Sequence, residues 1–331
     1  MRALVYEGIE TLALRDLPDP TPQQGEVLVQ IKASGICGSD MHAYLGHDER
    51  RPAPLVLGHE AAGRIASGPK TGTRVTVNPL VTCQTCDACL GGRTNLCASR
   101  QIISMMPRPG AFADYISMPL SNLIEVPEAV PLEKAALAEP LACGWHAVRL
   151  ALTNSDIAPD QANCLVLGGG AIGFGAALAL RAFGAQNISL IEPHAARRRN
   201  LAAHCDFTLL PGGDPAPDQL SSMDIVIDGV GYEQTRALSC AMARPGATIA
   251  HIGLGSNSGG LDVRRMTLQE LRFIGTYTYT MADFAATTAA IFDGRLGGLT
   301  WPEQRPLDQG IAAFKDLRAA QVTAPKIILN L

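Results

Sequence analysis

Two kinds of hydrophobic pattern divide the chain. Over residues 2–139 the apolar positions fall in short runs parted by Gly and Pro turns. Val27-Leu28-Val29-Gln30-Ile31-Lys32-Ala33 alternates loosely and is rich in β-branched residues, as a strand with one buried face requires. Runs at 61–66, 74–77 and 112–117 repeat that pattern, and no long helical period precedes Leu132. This stretch predicts an irregular, mostly β unit. Residues 132–152 then carry a helical period that includes Glu139, Cys143, Trp145 and His146. Cys143 and His146 lie one turn apart and are read as packing residues of an apolar helix face.

From Asn163 the pattern changes. Cys164-Leu165-Val166-Leu167, Asn187 to Ile191, Asp224 to Asp228 and Ala247 to Ile252 are almost wholly apolar runs. Helical segments separate them, one Ala- and Leu-rich to about Phe183 and another over 232–243. Strands that are apolar on both faces and alternate with helices predict a parallel sheet covered on both sides. From about Gly275 the order breaks again, with helices expected over 281–293 and 307–320 and a last strand over 323–329. The expected division is 1–142 with 275–331 in one domain and 143–274 in the other.

Length and composition agree with two globular domains: 331 residues, 47% of them apolar. A net charge of −4 and a pI near 6.0 point away from nucleic acid and from an anionic membrane surface. The start is without an apolar signal core, and the long uncharged run 164–180 is too short and glycine-rich to span a bilayer. A cytoplasmic location is expected, where nine cysteines are thiols and metal ligands rather than disulfides.

Four of those cysteines sit together. Cys83, Cys86, Cys89 and Cys97 have the spacing Cys-x2-Cys-x2-Cys-x7-Cys. Four thiolates in one loop can close a tetrahedral zinc shell with no open position, which is the structural type of site. Such a lobe has little apolar material, so the metal would supply much of its folding energy. Disulfides or an iron–sulfur cluster are the alternatives.

Gly168-Gly169-Gly170-Ala171-Ile172-Gly173 follows one apolar run and opens a helix. In that setting a Gly-x-Gly-x-x-Gly is a dinucleotide fingerprint: Gly168, Gly170 and Gly173 permit the tight turn, and the helix start, with Ala171 and Ile172, offers N–H groups to a pyrophosphate. Glu192 stands about 20 residues beyond, where a carboxylate accepts the adenosine ribose hydroxyls and repels a 2′-phosphate. NAD is therefore expected over NADP, although Arg197, in the run Arg197-Arg198-Arg199, would suit a 2′-phosphate or stack on adenine. Val230, Ile252 and Gly253 end later strands and are further candidate cofactor contacts.

A third constellation is built from Cys37, His59 and Glu60, three zinc-ligand types in an otherwise glycine-punctuated stretch. Neighbours on an extended strand point to opposite faces, so His59 and Glu60 can share one ion only where the backbone bends. Cys37-Gly38-Ser39-Asp40, Gly58-His59-Glu60, Glu139-Pro140 and the complete four-cysteine loop resemble the zinc-dependent medium-chain dehydrogenases. The similarity is strongest to the branch holding sorbitol, idonate, galactitol-phosphate and threonine dehydrogenases, and it spans essentially the whole chain.

The resemblance implies an α/β protein: a GroES-like β-barrel catalytic domain, built from both chain ends, and a Rossmann domain with a doubly wound parallel sheet. It implies two zinc ions. The catalytic one would be held by Cys37, His59 and Glu60, with Glu139 as an alternating or neighbouring carboxylate. Ser39 and His42 match the relay hydroxyl and histidine. The expected reaction is NAD-dependent oxidation of a secondary alcohol, in a polyol or sugar acid, to a ketone. An NADPH-dependent aldehyde or ketone reductase and a non-enzymatic dinucleotide-binding sensor are the competing readings. Ser39, Tyr44, Phe112 and Trp145 are expected to line the substrate pocket, with Asp40, Asp48, Glu49, Arg50 and Arg51 on its rim. Family members are homo-oligomers, dimers or tetramers, so one of these is expected.

Overall fold

The computed structural model describes residues 1–215, 217 and 219–331. The chain forms two compact units: Met1–Glu139, Thr280–Asp293 and Pro302–Leu331 make the first, Pro140–Tyr279 and Gly294–Trp301 the second. The crossovers fall at 139/140 and 279/280 rather than 142/143 and 274/275. Residues 294–301, expected in the first unit, are part of the second.

In the first unit the strand Glu26–Gly35 is central. It pairs antiparallel with Glu60–Ser67 on one edge, and with Tyr115–Pro119 and the C-terminal strand Ile327–Asn330 on the other. The sheet continues through Arg74–Val77 to Leu123–Glu125, and through Ile327–Asn330 to Glu303–Pro306. Alternation along Glu26–Gly35 sends Val27, Val29, Ile31 and Ala33 inward, as its sequence pattern requires. Val29, Ile31, Ile65, Val75 and Met118 form one core.

A second core joins the chain ends. Leu4, Tyr44, Leu57 and Phe112 from the first part meet Phe314, Ile327 and Leu329 from the last. Phe314, on the helix Gly310–Arg318, stands edge-on to Tyr44 at 5.3 Å and to Phe112 at 6.0 Å between centroids. Tyr44 and Phe112 are therefore core residues rather than pocket lining, 3% and 0% exposed. The strand starting at Tyr115 lies a little later than the run 112–117 predicts.

The second unit is a six-stranded parallel sheet in the order Thr208–Leu210, Asn187–Ile191, Asn163–Leu167, Met223–Asp228, Ala243–His251, Arg272–Gly275. Its centre is buried on both faces: Leu165, Val166, Val226, Ile227 and Ile249 have almost no exposed surface. The helix Ala171–Ala182 packs close because Gly144 and Gly175 leave room at its contacts, with Gly175 beside Leu141. Trp145 is also in this unit, tilted at 46° against Phe183 with ring centroids 4.5 Å apart, and with Arg295 over its ring. It is 5% exposed and packs within this unit. Among the described residues no helix is long and apolar enough to cross a membrane.

Phe314 is fully buried. Phe314→Ala is expected to remove about 3–5 kcal/mol through lost contacts and a residual cavity. Thermal unfolding would show it as a lowered midpoint of the first unit; an unchanged midpoint would mean that the chain ends do not share this core.

Candidate active site

Cys37 ends the central strand's excursion and precedes the short helix Gly38–Tyr44. His59 follows Gly58, which adopts φ +90°, a conformation open to glycine and costly for other residues. The strand Glu60–Ser67 begins only after His59. The bend that a shared ion demands is thus present, and His59 escapes the two-face rule because it lies outside the strand. One donor atom each from Cys37, His59 and Glu60 fall within 4.8 Å of one another.

Asp40 ties the segments together. Its carboxylate accepts the Cys37 N–H (2.9 Å) and the Gly58 N–H (3.2 Å), and lies 3.6 Å from His59 Nδ1. Burial pushes the Asp40 carboxyl pKa up, but His59, Arg51 and the Cys37 N–H outweigh it and hold it below the ordinary value. A carboxylate behind a ligand histidine fixes the ring's orientation. Asp40 is completely buried, so it is no rim residue. Arg51 is not one either: its buried guanidinium bonds Asp48 at 2.6 Å. Asp48 also binds Arg50, so the expected rim loop is internally paired.

Glu60 is clamped from the far end of the chain. Lys326, at the start of the C-terminal strand, donates from Nζ to Glu60 Oε1 (2.5 Å) and to the Ile36 carbonyl (2.9 Å). Burial pushes the Lys326 pKa down; the charges of Glu60 and Cys37 and the bond to Glu60 carry it above the ordinary value. The second Glu60 oxygen, Oε2, is buried with no hydrogen-bond partner among the described residues. A buried, unpartnered carboxylate oxygen is costly, and a cation beside it removes that cost. The donor set therefore fits a zinc ion. Glu139 is buried as well and acts on Lys326 through its charge, but lies outside the set of three donors.

Ser39 is half-buried on the short helix, and His42 is exposed. The His42 ring meets His47 edge-on at 6.4 Å, a neighbour the sequence reading missed. The second donor group is the four-cysteine loop: Cys83, Cys86, Cys89 and Cys97 bring their sulfurs within 4.8 Å of one another. Cys83 Sγ lies 3.5 Å from Cys97 and 3.9 Å from Cys89. Backbone and hydroxyl donors of Thr85, with the Cys86 N–H, lower the Cys83 thiol to about 6. All nine cysteines are free thiols, which leaves no disulfide for this loop.

In the second unit the turn 168–173 leads from strand to helix as expected. Gly168 adopts φ +96°, and a Cβ on Gly173 would sit 1.9 Å from the Gly168 carbonyl. The helix start at Gly170 has no side-chain cap, which leaves its N–H groups to an anion. Glu192 is buried at the end of its strand. It accepts the Gly169 N–H (3.0 Å) and the His194 N–H (2.8 Å), with Arg197 at 3.5 Å. Val230 and Gly231 donate to Asp228, which also meets His251 at 3.1 Å and the Thr235 hydroxyl at 2.9 Å. Ile252 and Gly253 donate their N–H groups to the Asp228 carbonyl. Asp228 therefore organises the strand ends where Val230, Ile252 and Gly253 stand. Sequence reading missed it, as it missed Lys326, and it placed Asp40 on the rim instead of in the interior.

A dinucleotide turn in one unit and a Cys–His–Glu donor set in the other define a metal-assisted, nucleotide-dependent oxidoreductase. Comparison with known proteins agrees. Residues 23–128 match the alcohol dehydrogenase GroES-like domain and 171–293 the zinc-binding dehydrogenase family. The chain is 33% identical to L-galactonate-5-dehydrogenase of Escherichia coli K12 over 309 residues, covering 89% of this chain and 88% of the relative. Galactitol-1-phosphate dehydrogenase from Escherichia coli superposes with a TM-score of 0.89 at 24% identity, over the full length of both chains. A short chain alcohol dehydrogenase from Escherichia coli CFT073, complexed with NADH, gives 0.90 at 23% identity, over 100% of this chain and 99% of the other. At these identities the two structures establish the fold. The chain belongs to the zinc-dependent medium-chain dehydrogenases, in their polyol dehydrogenase branch.

Two predictions come from this geometry. Cys97→Ser is expected to cost one zinc equivalent while NADH binding survives, with the 83–97 loop newly open to protease; metal analysis with limited proteolysis reads both. The second concerns Asp228. Burial pushes its carboxyl up, but the bonds from His251, Gly231, Val230 and Thr235 hold it below the ordinary value. The unfolded group titrates at about 3.9. Its stabilisation is therefore full above that pH and is lost as pH falls through the lower folded value. Asp228→Asn should lower the melting midpoint at pH 6, by a margin that narrows toward pH 3. A constant margin would show that the charge contributes nothing.

Proposed function

We propose that this chain oxidises a secondary hydroxyl of a polyol or sugar acid to a ketone, with NAD as hydride acceptor. Cys37, His59 and Glu60 hold the catalytic zinc, and Cys83, Cys86, Cys89 and Cys97 hold the structural one. The observation that carries this reading is the partnerless Glu60 Oε2, buried in a donor set whose other carboxylate oxygen is already taken by Lys326. Three protein donors, rather than four, are what a catalytic rather than structural zinc takes.

Bound there, zinc supplies a Lewis acid that lowers the pKa of an alcohol. The residues do the rest. Asp40 holds the His59 ring and the Cys37 backbone in register. Ser39 accepts the alcohol proton at Oγ as it gives up its own, and His42, at the surface, passes a proton to bulk water. A bound nicotinamide would supply the hydride acceptor. Gly168, Gly170, Ala171, Ile172 and Gly173 form the pyrophosphate turn, while Val230, Ile252 and Gly253 border the cofactor at the strand ends. Glu192, held by two backbone N–H groups, accepts the ribose hydroxyls and turns away a 2′-phosphate; Arg197 flanks the adenosine.

Relatives named for L-galactonate and galactitol 1-phosphate support a polyhydroxylated substrate with an anionic end. The test is NADH formation over a panel of sugar acids, sugar phosphates, sugar alcohols and simple secondary alcohols, run in parallel with NADP. Polyhydroxylated substrates should lead, and kcat/KM should favour NAD by at least about tenfold, a discrimination of ~1.4 kcal/mol. Glu192→Ala should narrow that ratio. A zinc-replete protein that binds NADH yet reduces neither cofactor with any alcohol would instead be a sensor.

A further inference from the structure

Arg51 is the most deeply buried cation that the reaction scheme leaves unused. Only 3% of its surface is exposed, and apart from its bonds to Asp48 its hydrogen bonds end on Ser39, two residues from Cys37, and on Ser104, beside His59. Nη2 donates to Ser39 Oγ at 3.4 Å, and Nη1 to the Ser39 carbonyl at 3.3 Å. Nε donates to the Ser104 carbonyl at 3.0 Å and to Ser104 Oγ at 3.4 Å. Ser104 Oγ in turn lies 3.5 Å from His59 Nδ1. Asp48, itself nearly buried, anchors the guanidinium through Nη1 at 2.6 Å.

A guanidinium is rigid, planar and permanently charged, and burying one is costly unless its hydrogen bonds are spent on a purpose. A serine hydroxyl has one proton to give and two acceptor lobes. Arg51 fills one lobe of Ser39 Oγ and grips the same residue's carbonyl. The hydroxyl is left with one acceptor lobe and one O–H, which is the arrangement a one-way proton relay needs.

We propose that Arg51 is a positioning residue for proton release: it fixes the polarity of the Ser39 hydroxyl, so that Oγ receives the substrate proton while its own proton departs on the far side. The inference rests on the relay assigned above to Ser39. The balance is simple. The alcohol O–H bond breaks and a bond from that proton to Ser39 Oγ forms; the former Ser39 proton moves on to solvent; the hydride reduces NAD, and the carbinol carbon becomes a carbonyl. Arg51 neither gains nor loses a proton, since its guanidinium stays charged throughout.

The test is a double-mutant cycle on the zinc-replete enzyme, with its best alcohol substrate and NAD, comparing wild type, Arg51→Lys, Ser39→Ala and the double variant. A lysine keeps the charge but lacks the fork that reaches Ser39 and Ser104 together. Arg51→Lys is expected to lower kcat about tenfold to a hundredfold, the scale on which a misplaced catalytic group is felt. KM, zinc content and the dissociation constant for NADH should stay within about twofold of wild type, and the solvent isotope effect on kcat should rise. In the Ser39→Ala background the same change should cost almost nothing, because the hydroxyl it orients is gone. If Ser39→Ala slows turnover and Arg51→Lys adds its full penalty on top, Arg51 does not act through Ser39 and the inference fails. If Ser39→Ala leaves kcat unchanged, the relay reading fails instead. Should Arg51→Lys not fold with its zinc, Arg51→Gln takes its place in the cycle. If neither folds, Arg51 is scaffold and the inference is overturned.

Discussion

Charge compensation under burial governs the catalytic unit. Cys37, Asp40, His59 and Glu60 bring a thiol, two carboxylates and an imidazole into one largely water-excluded place. Such a gathering is unstable unless positive charge accompanies it. Lys326 supplies part, through one oxygen of Glu60, and Arg51 supplies part from the side of Asp40 and Ser39. The oxygen left over, Glu60 Oε2, marks where the protein's own cations stop, and a metal cation there would remove the deficit.

The constraint also explains why the unit is made from both ends of the chain. Lys326 must come from a strand that lies beside Glu26–Gly35, so that its Nζ reaches both Glu60 and the Ile36 carbonyl. That strand is pinned by Leu329 and by the Phe314 cluster under it. Hydrophobic burial of the C-terminal segment and electrostatic balance at the site are thus one structural event: losing the first withdraws the second.

Much of this was legible in the sequence. Backbone rules carried the second unit, because a parallel sheet leaves an unmistakable trace of apolar runs and its glycines meet hard limits, as with Gly173 against the Gly168 carbonyl. Cysteine spacing carried the 83–97 loop. What stayed hidden was every contact set by tertiary placement. Asp40 stood inside the quoted Cys-Gly-Ser-Asp motif, yet nothing local says that its carboxylate turns inward to two backbone N–H groups. Tyr44 and Phe112 look like pocket aromatics until Phe314, some two hundred residues further along, is seen to close over them. Lys326 did leave a signal: it is a lone charge opening an apolar strand, Lys326-Ile327-Ile328-Leu329, where an unpaired ammonium has no reason to be.

Arg51 shows how such hidden contacts bear on chemistry. Adjacent arginines, Arg50 and Arg51, share Asp48, but only one is exposed. Arg50 closes on Asp48 at the surface, a pair worth little in water. Arg51 turns inward, where the same ion pair is unscreened and the remaining N–H groups are committed to Ser39 and Ser104. Identical residue types, one position apart, thus take opposite roles because the backbone at Asp48 presents them to different media. Arg50 meets Asp48 from the water side, whereas Arg51, held by the same carboxylate, has its guanidinium fixed so that its remaining N–H groups set the orientation of the Ser39 hydroxyl.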